Sequence, residues 1–188
     1  DRTDVEGLLR SVAELLSPRA HERGLEIAWA APARTATLHA DEGRLRQILL
    51  NFAGNAVKFT ESGGVLITAD IVEGGAIRFT VEDSGPGVSE PDRERIFEAF
   101  AQSEAAHADL GGAGLGLAIA RRLARAMGGE VGVDAAGLGG AAFWFEAEIP
   151  LLPGAEPARP LAGSARRHRL AQPDRPRERP ASGRDLRG

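Results

Sequence analysis

The 188-residue sequence has no cysteine, is 43% hydrophobic and carries a formal charge of -4, so no disulfide framework or thiolate metal site is available and the fold must rest on packing. This apolar content suits one ordinary domain, and no apolar run approaches the ~20 residues that span a bilayer. The charge is uneven: residues 154–188 hold nine Arg against four acids, leaving 14 basic and 23 acidic residues elsewhere, and a basic tail without aromatics to stack on bases argues against sequence-specific nucleic-acid binding.

In chain order, Thr3 and Glu6 have capping-box spacing, and Val5, Leu8, Leu9, Val12, Leu15 and Leu16 recur at helical period until Gly24. Two short β-like stretches, 25–30 and 37–40, follow around a Pro-containing turn. Asp41 then reads as the N-cap of a second helix whose apolar stripe is Leu45, Ile48, Leu49, Phe52, Ala56 and Phe59, stopped by Ser62-Gly63-Gly64. Stretches 65–71 and 77–83 flank Glu73-Gly74-Gly75 and predict an antiparallel hairpin. From Ser84 to Gly112 the pattern loosens, apart from a short amphipathic piece at Ile96, Phe97 and Phe100; so long a weakly structured stretch inside a domain reads as a lid. A third helix is expected over 115–127, closed by Gly128-Gly129, and the last strands over 130–133 and 142–149. Helices and strands mix without regular βαβ alternation, which predicts an α/β two-layer sandwich: helices on one face of a mixed, mostly antiparallel sheet. Residues 1–152 form the expected domain and 153–188 a Pro/Arg-rich, disordered tail.

Three elements carry chemistry. Asn51, Asn55 and Lys58 project from one face of the second helix. Carboxamide oxygens suit Mg²⁺, and an ammonium neutralises phosphate without a fixed fork geometry. Lys58 is the single lysine among 23 basic residues. Alone, such a face also suits a helix side in water. Asp83-Ser84-Gly85-Pro86-Gly87 sets a carboxylate at a strand end, able to accept from an exocyclic amine while glycines let a flat ring approach. The run Gly111-Gly112-Ala113-Gly114-Leu115-Gly116 leads into a helix, offering backbone N–H groups and a helix N-terminus to phosphate; it lacks the Lys of a Walker A loop.

In this order, separated by a lid, the elements resemble the catalytic ATP-binding domain of sensor histidine kinases, in the GHKL superfamily that includes gyrase and MutL. RLRQILLNFAGNAVKFT is similar to the family's N-box, VEDSGPGV to its first glycine box, IFEAF to its phenylalanine box, GGAGLGLAI to its second glycine box and GGAAFWFEAEIP to its closing strand. The resemblance covers 1–152 and implies a Bergerat-type fold with an ATP lid. It further implies that Asn55 ligates Mg²⁺, that Asn51 and Lys58 contact the phosphates of ATP, and that Asp83 binds the adenine amino group. Gly85 and Gly87 would pass beside the base, Gly112, Gly114, Leu115 and Gly116 would cradle phosphate, and Phe97 and Phe100 would pack the lid.

ATP-hydrolysing relatives place a Glu general base four residues before the metal-binding Asn, where this chain has Asn51; a carboxamide cannot take that proton, so the γ-phosphoryl group is expected to go to a histidine. None of His21, His39, His107 and His168 has the setting of a family acceptor, so the acceptor is expected on a separate helical dimerisation domain of a homodimeric parent, with a response regulator downstream. The expected setting is cytoplasmic, also compatible with the cytoplasmic part of a membrane-bound sensor. Two other readings stay open: a non-catalytic nucleotide-binding module, kept alive by Ala113 where relatives often carry a hydroxyl, and a serine kinase of the anti-sigma type.

Overall fold

The computed structural model describes residues 2–32, 37–99, 114–152 and 167–169. Its first departure from expectation is at the start of the first helix. Strand β1 (Arg2–Asp4) pairs antiparallel with β3 (Thr37–His39), which buries Thr3 and turns its hydroxyl to the carbonyl of Ala40 at 3.2 Å. Thr3 is thereby unavailable as a cap. Asp4 takes the role, its Oδ2 accepting the Gly7 N–H at 3.0 Å, and helix α1 (Val5–Glu22) follows. Val5, Leu8, Leu9 and Val12 are buried as their spacing predicts, whereas Leu15 turns outward and is 60% exposed.

The stretch at 25–30 becomes β2 (Glu26–Ala30), but it is not joined to β3 in one sheet. It pairs in parallel with β4 (Gly64–Ile71), while β3 leaves to join β1. A parallel pair needs a crossover, and α2 (Glu42–Phe59) supplies it, capped by Asp41, whose Oδ1 accepts the Arg44 N–H at 3.1 Å. The expected hairpin of β4 with β5 (Ile77–Asp83) forms, with Gly74 and Gly75 at φ of 87° and 88° in its turn, a left-handed conformation that glycine adopts without a Cβ penalty. Short helical turns at Glu90–Asp92 and Arg95–Phe97 precede the undescribed residues 100–113, and α3 (Gly116–Ala126) follows them.

Strands β6 (Glu130–Ala135), β7 (Ala141–Ala147) and β8 (Arg167–Arg169) complete a six-stranded sheet ordered β6-β7-β5-β4-β2-β8, antiparallel except at β2–β4. Within the tail expected to be disordered, residues 167–169 thus pair along β2; the rest of the tail lies outside the described residues. Helix α2 packs between α1 and α3 and against β4, β5 and β7. The core is aromatic at this seam: Phe52 of α2 lies 5.6 Å from Phe143 of β7, and Phe79 of β5 stacks 6.2 Å from Phe145. All four rings are buried, each contributing on the order of 1.5–3 kcal/mol by leaving water. This is the predicted two-layer α/β sandwich. No helix of the described residues is long and apolar enough to cross a membrane.

Candidate functional site

On β5 the period-two alternation buries Ile77, Phe79 and Val81, and the same row ends on Asp83, which is only 6% exposed. A carboxylate therefore stands where the next residue of the pattern should be apolar. Its Oδ1 accepts two backbone N–H groups, from Gly85 at 2.9 Å and Ala141 at 3.1 Å, and its carbonyl accepts the Gly140 N–H at 3.1 Å. Among the described residues no hydrogen bond reaches Oδ2. Burial pushes the Asp83 carboxyl above its ordinary value, while the N–H bonds from Ala141 and Gly85 pull the other way without cancelling it. The carboxylate is thus oriented through one oxygen and left with an unengaged acceptor on the other.

Two glycines allow this orientation. A Cβ on Gly140 would sit 2.1 Å from Asp83 Oδ1, and one on Gly85 would sit 3.1 Å from it, so backbone must close on the carboxylate where a side chain could not fit. Ser84 fastens the start of the lid to the loop after α2: its hydroxyl donates to the Ser62 carbonyl at 2.8 Å and accepts the Gly64 N–H at 2.9 Å. Gly87 follows at a φ of 77°.

Asn51, Asn55 and Lys58 are all partly exposed on α2 and share one face, as predicted. Asn51 Oδ1 accepts from Gln47 Nε2 at 3.3 Å, while its Nδ2 is buried with no hydrogen-bond partner among the described residues. The Lys58 ammonium lies 5.0 Å from the centre of the Phe59 ring. The start of α3 meets this face: a Cβ on Gly116 would be 3.4 Å from Asn51 Oδ1. Gly114 has a φ of 64°, and Leu115, the N-cap of α3, has no side chain that caps the helix. Phe97 is buried edge-on against Phe143 at 6.2 Å and roots the first half of the lid in the core. Phe100, Gly112 and Ala113 lie outside the described residues.

Sequence reasoning missed Gly140 and Ala141, whose N–H groups hold Asp83, and Thr60, whose buried hydroxyl has no partner among the described residues. The Gly139-Gly140 pair just before a strand was a signal for the first, but nothing local says which carboxylate it meets. Among the described residues no three His, Cys, Asp or Glu side chains cluster to hold a metal. The donor left to a cation on α2 is a neutral carboxamide, which fits Mg²⁺ only when anionic phosphates complete its shell.

A family model described as histidine kinase-, DNA gyrase B-, and HSP90-like ATPase matches residues 40–151, spanning α2, the Asp83 turn, α3 and the closing strand. The chain belongs to this family. Among curated relatives of this ATPase domain, it is 44% identical over 158 residues to the sensor histidine kinase AruS of Pseudomonas aeruginosa, matching 80% of the chain and 16% of AruS. It is 36% identical over 154 residues to the signal transduction histidine-protein kinase BarA of Escherichia coli, covering 77% of the chain and 16% of BarA. Full-length ShkA in complex with AMPPNP has a similar structure, with a TM-score of 0.74 at 61% identity over 85% of this chain and 32% of ShkA. The nucleotide-free catalytic domain of the histidine kinase ThkA superposes with a TM-score of 0.66 at 26% identity, over 80% of this chain and 95% of that domain. The chain therefore spans a small part of the curated relatives it matches and nearly the whole of an isolated catalytic domain.

Proposed function

We propose that this chain is the ATP-binding catalytic domain of a two-component sensor histidine kinase, which holds Mg-ATP and presents its γ-phosphoryl group to a histidine on a separate helical dimerisation domain. The observation that carries this reading is Asp83: a buried carboxylate fixed through Oδ1 by Gly85 and Ala141, with Oδ2 left to accept from the 6-amino group of adenine. Gly85 and Gly87 then pass beside the base. Asn51 lies beside the start of α3 at Gly114, Leu115 and Gly116, where the phosphates would sit, and Lys58 adds positive charge on the same face of α2. Gly112, Phe97 and Phe100 belong to the same lid in this reading.

Asn55 would hold Mg²⁺ together with the phosphates, and the ion, when bound, neutralises charge between phosphate oxygens. In the transfer, a ring nitrogen of the acceptor histidine forms a bond to the γ-phosphorus as the bond to the bridging oxygen breaks, and ADP leaves. This domain contributes position and charge, not a proton acceptor, because Asn51 stands where a general base toward water would act. The parent is a homodimer with a response regulator downstream, and the domain works in the cytoplasm. ShkA, the relative of known structure with bound AMPPNP, supports the nucleotide assignment.

Phosphate release tests the choice of transfer over hydrolysis. The native chain should turn ATP over slowly, and Asn51→Glu, which restores a carboxylate base, should raise the rate. Fast release by the native chain would overturn the proposal.

A further inference from the structure

Without β8 the sheet would end on two strands of opposite character. At one edge, β6 carries exposed Glu130 and Asp134 and has Gly132 in its interior. Charges and a mid-strand glycine weaken a sheet edge as a template for another strand. At the other edge, β2 reads Glu26-Ile27-Ala28-Trp29-Ala30, with one charge at its start and neither proline nor glycine. Ile27, Trp29 and Ala30 are buried. The backbone of such a strand, if left unpaired on its outer side, invites addition of a further strand.

Parallel pairing with β4 satisfies the inner side of β2, from Glu26 opposite Gly64 to Ala30 opposite Thr68. The outer side is taken antiparallel by the backbone of β8, with Ala28 opposite Arg169, Trp29 opposite His168 and Ala30 opposite Arg167. The cover thus lies over the uncharged part of β2. It is three residues long with the sequence Arg-His-Arg, the short and charged kind of strand that ends a sheet. It also comes from beyond the stretch matched by the family model, residues 40–151, so the tail adds it to a sheet the domain otherwise leaves open at β2.

We propose that the outer edge of β2 is an addition site for a second copy of this chain, β2 pairing antiparallel with β2 across a two-fold axis, and that residues 167–169 occupy it in cis and keep copies apart. An antiparallel β2–β2 pair is self-complementary and closes on two copies. A tethered strand competes at its effective concentration, a second copy only at its concentration in solution, which lets three residues hold an edge of five. The nucleotide site is not involved, since β4 separates β2 from β5 and its Asp83.

The test replaces Arg167, His168 and Arg169 together by proline in the full chain, which removes every N–H that β8 could donate. Amide hydrogen exchange should then quicken about tenfold or more within Ala28–Ala30, while Phe79 and Val81 of β5 keep their protection. Sedimentation across a concentration series should show the native chain at the mass of one copy and the variant rising toward two. A peptide of residues 165–171 added to the variant should restore both protection and the single-copy mass. Unchanged exchange within Ala28–Ala30 overturns the proposal, as does faster exchange at the mass of one copy, or a native chain that associates as readily as the variant. His168→Pro alone is the milder break should the triple variant lose protection at Phe79 and Val81. Loss of that protection in both variants also overturns the proposal, because β8 would then belong to the cooperative core and not cover an edge.

Discussion

Asp83→Asn is a sharper test than a usual carboxylate-to-amide change, because the surroundings fix which way the amide must face. Oδ1 of Asp83 accepts from both Gly85 and Ala141, so the oxygen of the introduced carboxamide must take that position to keep the two backbone N–H groups satisfied. Its NH₂ group then replaces Oδ2 and meets the amino group of adenine donor to donor. The loss is a hydrogen bond to a charged group, worth about 1.5–3 kcal/mol, or roughly a ten- to hundredfold weaker Kd for ATP. The same geometry predicts relief with inosine triphosphate, whose 6-oxo group accepts from that NH₂: the ratio of ATP to inosine triphosphate affinity should fall in the variant. Calorimetric titration of both nucleotides against both proteins reads all four constants. ATP binding within twofold of native, or an unchanged nucleotide ratio, would rule out an adenine seat oriented in this way.

The same residue makes a prediction about pH. Because burial raises the Asp83 carboxyl above its ordinary value, the folded state holds this proton more tightly than the unfolded state; the stability it contributes is present below the ordinary carboxylate value and is lost as pH rises through the raised one. The melting temperature of nucleotide-free Asp83→Asn minus that of the native chain should therefore climb across this acidic window and level off above it, and a difference flat with pH would count against it. Asn55→Ala should weaken ATP about tenfold with Mg²⁺ present and leave metal-free binding within about twofold, since a neutral carboxamide matters here through the cation; calorimetry with and without chelator measures both. Gly140→Ala should lower stability by about 1–3 kcal/mol and weaken ATP together, because a Cβ 2.1 Å from Asp83 Oδ1 forces the loop off the carboxylate; denaturant unfolding and nucleotide titration check the pair.

Features set by local spacing were legible in the sequence. The shared face of Asn51, Asn55 and Lys58 follows from helical period, the β4–β5 hairpin from the Gly74-Gly75 turn, and the position of Asp83 from the end of an alternating strand. Features that depend on a distant partner were not. Thr3 and Asp4 are both good caps by type, and the choice falls to Asp4 only because β3 draws Thr3 into a buried strand pair. Likewise β2 and β3 look like neighbours along the chain, yet β2 finds β4 across a helical crossover. The same holds at the site: Asp83 was visible as a carboxylate before glycines, but half of its orientation comes from Ala141, 58 residues away, and the hydroxyl of Thr60, unpartnered among the described residues, carries no sequence mark.

The most direct test of the proposed function is transfer of label from γ-labelled ATP. The chain is mixed with the histidine-bearing helical domain of its parent, and the labelled protein is challenged with acid and with base. A phosphoryl group should appear on that domain, lost in acid and stable in base, and its rate of appearance should fall about ten- to hundredfold when Asp83→Asn replaces the native chain at limiting ATP. Acid-stable label, or none on the helical domain under conditions where ATP is bound, would overturn the assignment.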